Sequence, residues 1–112
     1  MTAGKTEETK VERVLAATVA ELEPGTSLTL HRDDPIAVYH TENGEFFATA
    51  DTCTHEKWSL GEDSDLEGDE VLCPLHMARF DLRTGKPLCL PAAIALRTYE
   101  VVVEDGKIYV LV

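Results

Sequence analysis

Two short motifs that each pair a cysteine with a histidine constrain this chain more than any other feature. The first is Cys53-Thr54-His55, the second is Cys73-Pro74-Leu75-His76, and 17 residues separate them. Thiolates and imidazoles both bind metals, so the set suits either a tetrahedral zinc ion or a two-iron two-sulfur cluster with both thiolates on one iron. A metal bound by both motifs would cross-link two loops and stabilise a small domain.

Each of these four residues also has an ordinary explanation when it is taken alone. A lone cysteine is most often a small buried apolar residue, and a lone histidine most often lies at the surface or in a structural hydrogen bond. Four independent structural roles for these residues, at both ends of one segment, are a weaker explanation than metal binding. Zinc fingers usually draw on a cysteine pair and a separate histidine pair, whereas each pair here is mixed, which favours a binuclear centre.

Length and charge narrow the class of protein. A chain of 112 residues with 44% apolar content fits one domain with a modest core. The net charge of −11 disfavours binding to nucleic acid or to anionic membranes. Three cysteines are too few for a disulfide scaffold, and no apolar stretch is long enough to span a membrane. The polar segment 1–10 is unlike a signal peptide, so we predict a cytoplasmic protein with a flexible N-terminal tail.

Short apolar runs separated by turn residues dominate the pattern along the chain. Asn43-Gly44 and Asp105-Gly106 are strong hairpin signals, and Thr18 with Glu21 predicts one capped helical turn over Thr18–Leu22. The predicted strands are Val11–Ala16, Ser27–His31, Ile36–Tyr39, Glu45–Ala50, Arg79–Leu82, Arg97–Val103 and Ile108–Val112, and Val71-Leu72 leads into the second motif. The pattern therefore predicts an all-β fold of antiparallel sheets.

One long segment interrupts this rhythm. Glu56–Glu70 joins the two motifs and holds seven acidic residues against one base, Lys57. Loops of this length are usually functional or disordered, and a ligand pair at each end argues against disorder. We predict a loop whose acids form a docking patch for basic surfaces of a partner protein.

The two motifs and their neighbours resemble the Rieske iron–sulfur signature. The resemblance rests on both motifs, their spacing, and the following Phe80-Asp81, Thr84-Gly85 and Leu90-Pro91-Ala92, and it extends from about Glu45 to the C-terminus. It implies a Rieske-like fold of small antiparallel sheets in one domain, residues 11–112. Two loops would form a cluster-binding subdomain within about 51–92.

The resemblance also implies the cofactor and its ligands. One Rieske-type [2Fe–2S] cluster per chain would be bound by Cys53 and Cys73 on one iron and by His55 and His76 on the outer iron. Neutral imidazoles in place of two thiolates raise the reduction potential above that of an all-cysteine cluster.

Departures from the family pattern are also informative. Rieske proteins of respiratory complexes carry two more cysteines that form a disulfide between the cluster loops, whereas this chain has Glu56-Lys57-Trp58 and Leu75 there. Those proteins also place a serine and a tyrosine where this chain has Ala78 and Phe80. Fewer hydroxyl hydrogen bonds to the cluster sulfurs predict a reduction potential in the low part of the Rieske range.

A low potential suits an electron carrier that performs no substrate chemistry. The resemblance implies a monomeric ferredoxin that takes single electrons from an NAD(P)H-dependent flavoprotein reductase. It would pass them to the terminal oxygenase, a Rieske non-haem iron protein, of an aromatic-ring-hydroxylating dioxygenase. The alternatives are a Rieske-type small subunit of a nitrite reductase and a structural zinc-binding module.

Four further residues are assigned structural roles. His31 and His40 are predicted to be structural or surface residues. Trp58 is predicted to pack locally, and the alternative is a contact that shields the metal centre or meets a partner. Cys89 is predicted to be a small buried residue and no ligand.

Overall fold

Ten short strands in two antiparallel sheets form the regular structure of the described residues. The structure, a computed structural model, describes residues 12–54, 58–74, 78–89 and 94–112. The strands are β1 (Arg13–Thr18), β2 (Thr26–Leu30), β3 (Ile36–His40), β4 (Phe46–Ala50), β5 (Asp65–Glu67), β6 (Glu70–Cys73), β7 (Ala78–Asp81), β8 (Pro87–Cys89), β9 (Thr98–Glu104) and β10 (Lys107–Leu111). The prediction of an all-β fold of small antiparallel sheets is confirmed.

The small sheet is an insertion into the large one. The large sheet has the order β1-β10-β9-β4-β3-β2, and the small sheet has the order β5-β6-β7-β8. Strands β4 and β9 pair directly, with Ala48 opposite Tyr99, and the backbone amide of Ala50 donates to the carbonyl of Arg97. The segment that carries both cysteine motifs therefore leaves and re-enters the large sheet at neighbouring positions.

Two apolar cores share strand β3, which is buried throughout. Successive side chains of a strand point to opposite faces, so Ile36 and Val38 enter one core while Ala37 and Tyr39 enter the other. The sheet core is Leu22, Ile36, Val38, Ala48, Ile108 and Val110. The cysteine core is Ala37, Tyr39, Cys53, Leu60, Val71, Cys73, Ala78, Phe80, Leu82 and Leu96. Strand β3 thus joins the large sheet to the core that contains both cysteines.

Both predicted hairpins form. Asp105 and Gly106 connect β9 to β10 with φ of 53° and 73°, which is the left-handed pair of a type I′ turn. Asn43-Gly44 lies in a wider loop between His40 and Phe46, which form the last pair of β3 and β4.

The predicted helical turn is a 3₁₀ turn over Val19–Glu21. The hydroxyl of Thr18 accepts from the amide of Glu21 at 3.3 Å, and the Glu21 carboxylate accepts from the amide of Thr18 at 2.9 Å. This reciprocal pair is a capping box, so the predicted cap is confirmed.

The prediction that Glu56–Glu70 is a loop throughout was wrong. It contains β5, which pairs with β6 through Leu66 opposite Val71 and closes at Glu67 opposite Glu70. Gly68 has a φ of 60° and begins a two-residue turn, and glycine in that position is typical of a type II′ hairpin.

The acids of this segment are also less free to dock a partner than their number suggests. Arg79 pairs with Glu67 at 3.0 Å and with Glu70 at 2.6 Å, and Arg83 pairs with Asp69 at 2.9 Å. Cations from the following hairpin therefore neutralise part of the predicted docking patch.

Candidate metal centre

The fold brings Cys53 and Cys73 into the same buried core. Cys53 follows β4 and Cys73 ends β6, and their exposed fractions are 3% and 0%. Both belong to the cysteine core, together with large side chains such as Tyr39 and Phe80. Two cysteines that are 20 positions apart in sequence therefore meet in one apolar environment.

The two histidines of the motifs, His55 and His76, lie outside the described residues, as does the Leu90-Pro91-Ala92 segment. Across the described ranges, no group of three or more histidine, cysteine, aspartate or glutamate side chains is arranged to hold a metal ion. A four-ligand centre built on the two cysteines therefore needs further ligands from other positions, and His55 and His76 are the predicted ones.

The loop that carries the first predicted ligand pair, called the first ligand loop below, has a base of three antiparallel rungs. The amide of Leu60 donates to the carbonyl of Asp51 at 2.8 Å, and Thr52 forms an isolated bridge with Ser59. The amide of Cys53 then donates to the carbonyl of Trp58 at 2.9 Å. Cys53 is thus at the last described rung, two positions before His55.

The Asp51 side chain fastens this base to the large sheet. Its Oδ1 accepts from the amide of Gly61 at 2.8 Å and from the hydroxyl of Thr29, in β2, at 2.9 Å. Asp51 is only 4% exposed. Asp51 was not among the residues predicted from the sequence, although the alternation of Ser27 and Thr29 with leucines in β2 was an available signal.

The second ligand loop is the connection between β6 and β7. Cys73 and Ala78 form the closing pair of that hairpin, and the two are fully buried. Phe80, next along the same face of β7, is fully buried in the cysteine core as well. The two positions that lack a hydroxyl group in this chain therefore face the core that contains both cysteines.

The cysteine core includes a tyrosine that is fully buried. The hydroxyl of Tyr39 is 2.9 Å from that of Thr49, which donates its own proton to the carbonyl of Ala50 at 2.8 Å. Tyr39 is therefore the donor in the first contact. Burial raises the pKa of Tyr39 well above its ordinary value, so the phenol stays neutral.

The residues with predicted structural roles behave largely as expected. His40 is buried, donates from Nδ1 to the carbonyl of Leu22 at 2.7 Å, and stacks on Phe46. His31 is at the surface, 3.5 Å from Glu62. These positions confirm the structural or surface roles predicted for both histidines.

The prediction for Trp58 is confirmed, whereas that for Cys89 was wrong. Trp58 packs against the cysteine core and donates from Nε1 to the carbonyl of Asp63 at 2.7 Å, which confirms local packing. The prediction that Cys89 is buried was wrong, since it is exposed. It ends β8, which lies at the edge of the small sheet.

The chemistry of the core fits a metal centre with thiolate ligands. Burial in apolar surroundings disfavours a thiolate unless a positive charge compensates it. A metal centre bound to both cysteines supplies that positive charge. The two buried cysteines on separate loops are therefore suitable ligands for the cysteine-bound iron of a two-iron cluster.

Comparisons with known proteins agree with this arrangement. Residues 12–100 match the model of the Rieske [2Fe-2S] domain. The chain is 45% identical to the 3-phenylpropionate/cinnamic acid dioxygenase ferredoxin subunit of Photorhabdus laumondii, over 91% of this chain and 96% of that protein. It is 42% identical to the biphenyl dioxygenase ferredoxin subunit of Pseudomonas sp. strain KKS102, over 85% and 87% of the two chains.

Solved structures extend the comparison to the fold. The ferredoxin in a complex of reduced oxygenase and oxidised ferredoxin of carbazole 1,9a-dioxygenase superposes with a TM-score of 0.80 and 37% identity, over 88% of this chain and 91% of that one. A Mycobacterium tuberculosis protein assigned as an NADH-dependent nitrite reductase small subunit has a TM-score of 0.79 over 92% and 96% of the chains. Its identity of 19% shows a shared fold alone.

Proposed function

The chain belongs to the Rieske [2Fe-2S] domain family, and we propose that it is the ferredoxin component of an aromatic-ring-hydroxylating dioxygenase system. It carries a Rieske-type [2Fe–2S] cluster and acts as an electron carrier without catalysing a reaction of its own. The observation that carries the proposal is the 45% identity to a dioxygenase ferredoxin subunit over 96% of that subunit's length. The sequence similarity therefore extends over nearly the whole length of a ferredoxin subunit.

Cys53 and Cys73 are proposed to hold the inner iron, and His55 and His76 the outer iron. The burial of both cysteines in one core supports the first half of this assignment. The spacing of each histidine from its cysteine supports the second half. When bound, such a cluster takes up and releases one electron at a time, and its two neutral imidazoles keep its potential above that of an all-cysteine cluster.

The proposed partners are an NAD(P)H-dependent flavoprotein reductase and a terminal oxygenase. The carbazole 1,9a-dioxygenase complex supports the second, since an oxygenase there binds a ferredoxin of similar fold. We propose that the carrier is a cytoplasmic monomer. In the described part of the chain, no helix is long and apolar enough to cross a membrane.

We further propose that residues 1–10 are a flexible tail and that residues 11–112 are one Rieske domain, with its cluster-binding part at about 51–92. The family match over 12–100 supports a single domain within residues 11–112. Residues 1–11 themselves lie outside the described residues.

The function is tested by metal content, spectroscopy and reconstitution. We expect two iron and two sulfide per chain and, after reduction, the rhombic EPR signal of a Rieske cluster. With the reductase and oxygenase of a 3-phenylpropionate dioxygenase system, the protein should support NADH-dependent substrate oxidation. A colourless protein with one zinc would identify a zinc module instead. A Rieske cluster that serves a nitrite reductase and no oxygenase would identify the other alternative.

The low potential is tested by restoring a hydroxyl at Phe80. Phe80→Tyr places a hydroxyl group in the cysteine core, where a hydrogen bond to a cluster sulfur favours the reduced state. We expect the reduction potential, measured by voltammetry, to rise within the Rieske range of about −150 to +300 mV. Without its cluster the variant should be destabilised by about 1–3 kcal/mol, the cost of a buried unpaired hydroxyl.

The matched control for this change is Phe46→Tyr. Phe46 packs against the sheet core, on the other side of β3 from the cysteines, so its hydroxyl should leave the potential unchanged. An equal rise in both variants, or a fall in Phe80→Tyr, would contradict the explanation by hydrogen bonding.

A further inference from the structure

Asp51 connects three parts of the chain through one buried oxygen atom. It lies at the start of the first ligand loop and is 4% exposed. Its Oδ1 receives the amide of Gly61, at the far end of the loop, at 2.8 Å and the hydroxyl of Thr29 at 2.9 Å. Closing these two bonds fixes both ends of the loop against β2.

Two more hydroxyl groups extend this connection. Thr29 Oγ1 is 3.2 Å from Ser59 Oγ, and because Thr29 donates its proton to Asp51, Ser59 is the donor in that pair. Ser27 Oγ, one position along the same face of β2, donates to the carbonyl of Gly61 at 3.0 Å. Strand β2 thus presents its apolar residues to the sheet core and its hydroxyl groups to the ligand loop.

The approach of the loop to β2 is too close for a side chain at position 61. A Cβ on Gly61 would lie 2.3 Å from Thr29 Oγ1, 2.5 Å from the carbonyl oxygen of Leu28 and 2.8 Å from Asp51 Oδ1. Backbone and carboxylate oxygens therefore surround this glycine. This close packing shows, independently of the hydrogen bonds, that the loop is in direct contact with β2.

We propose that Asp51 is a positioning residue that holds the Cys53 ligand loop in place for the cluster. Asp51 belongs to the first of the three rungs at the base of the loop. The third rung is the hydrogen bond from the Cys53 amide to the Trp58 carbonyl. Fixing the first rung to β2 therefore fixes the direction in which Cys53 enters the cysteine core. Groups behind the ligands that set their orientation usually govern metal affinity strongly. This inference rests on the proposed function of the loop as a cluster ligand.

The test compares Asp51→Asn with Asp51→Ala in the cluster-loaded protein. Both hydrogen bonds end on Oδ1, and the amide oxygen of asparagine can accept both. Alanine leaves the Gly61 amide and the Thr29 hydroxyl without that acceptor. We expect Asp51→Ala to release iron to a chelator about 10-fold faster or more than wild type, as for other groups behind metal ligands. Asp51→Asn should release iron within about twofold of wild type, since its hydrogen bonds persist.

Two further variants keep the test decisive. Thr29→Val removes one of the two donors to Asp51 without changing the side-chain shape. Its iron release should be faster than in wild type and slower than in Asp51→Ala, and it replaces Asp51→Ala in the test if that variant does not fold. Asp65→Ala removes an exposed acid from the neighbouring β5 and should behave as wild type. Fast iron release in Asp51→Asn as well as in Asp51→Ala, or slow release in both, would overturn the proposal.

Amide hydrogen exchange separates this inference from the proposed function. On each protein as purified, the Gly61 amide should be protected in wild type and in Asp51→Asn and exchange faster in Asp51→Ala. A wild-type protein without a Rieske EPR signal would refute the proposed function, while the Gly61 amide would still report whether the Asp51 contacts hold the loop. Equal exchange of the Gly61 amide in all three proteins would refute the Asp51 inference.

Discussion

Replacing Cys73 by alanine is expected to abolish cluster binding and to lower the thermal stability of the protein. Cys73 is fully buried at the end of β6 and contacts the cysteine core. Its loss removes one of two proposed thiolates on the inner iron, and Cys53 is the other cysteine of that core. Because metal binding and folding are coupled in small metal-containing domains, the variant should lose the stability that the cluster provides.

Iron and sulfide analysis, visible spectra and thermal unfolding measure this effect. Cys73→Ala should contain no stoichiometric iron, and the substitution itself should cost roughly 1 kcal/mol through the small cavity it leaves. The matched control is Cys89→Ala, because Cys89 is exposed on β8 and is no proposed ligand. An intact Rieske spectrum in Cys73→Ala would refute the ligand assignment, and cluster loss in Cys89→Ala would show that Cys89 had been misassigned.

Local sequence signals predicted the parts of the fold that local interactions determine. The Asp105-Gly106 turn adopts two positive φ angles that few other residue pairs tolerate, and the Thr18 cap needs only a partner three residues away. Both features therefore appear in the sequence as short motifs, and both were predicted correctly.

Two of the missed strands, β5 and β8, depend on contacts between segments. Strand β5 contains Asp65 and Glu67, which are poor strand formers. It pairs with β6 in a hairpin that Arg79 reinforces from the next strand. Strand β8 begins with Pro87 and is held by β7. Such short strands are stabilised by their neighbours rather than by their own composition.

The same distinction applies to the candidate site. The cysteine–histidine motifs are local and could be predicted, whereas the Asp51 contacts join residues 22 positions apart in β2 and the ligand loop. A threonine that alternates with leucine in a strand looks like a solvent-facing residue. The acidic segment was overestimated as a docking patch for a related reason, since its cations, Arg79 and Arg83, come from a later hairpin.

Replacing His76 by cysteine is expected to lower the reduction potential by on the order of 100 mV if the cluster still assembles. The change exchanges a neutral imidazole for a thiolate on the outer iron and so adds one negative charge to the centre. The four-cysteine clusters of plant-type ferredoxins have potentials of about −400 mV, whereas Rieske clusters lie at about −150 to +300 mV. One exchange should cover part of that interval, and protein-film voltammetry measures it.

The control for an added cysteine is His31→Cys, because His31 is an exposed histidine remote in sequence from both motifs. That variant should keep the wild-type potential and EPR spectrum. A wild-type potential in His76→Cys, with the cluster intact, would remove His76 from the ligand set. His55→Cys should repeat the fall in potential, because the two histidines are proposed to share one iron. A fall in only one of the two variants would therefore refute the symmetric assignment and leave the outer iron with a different fourth ligand.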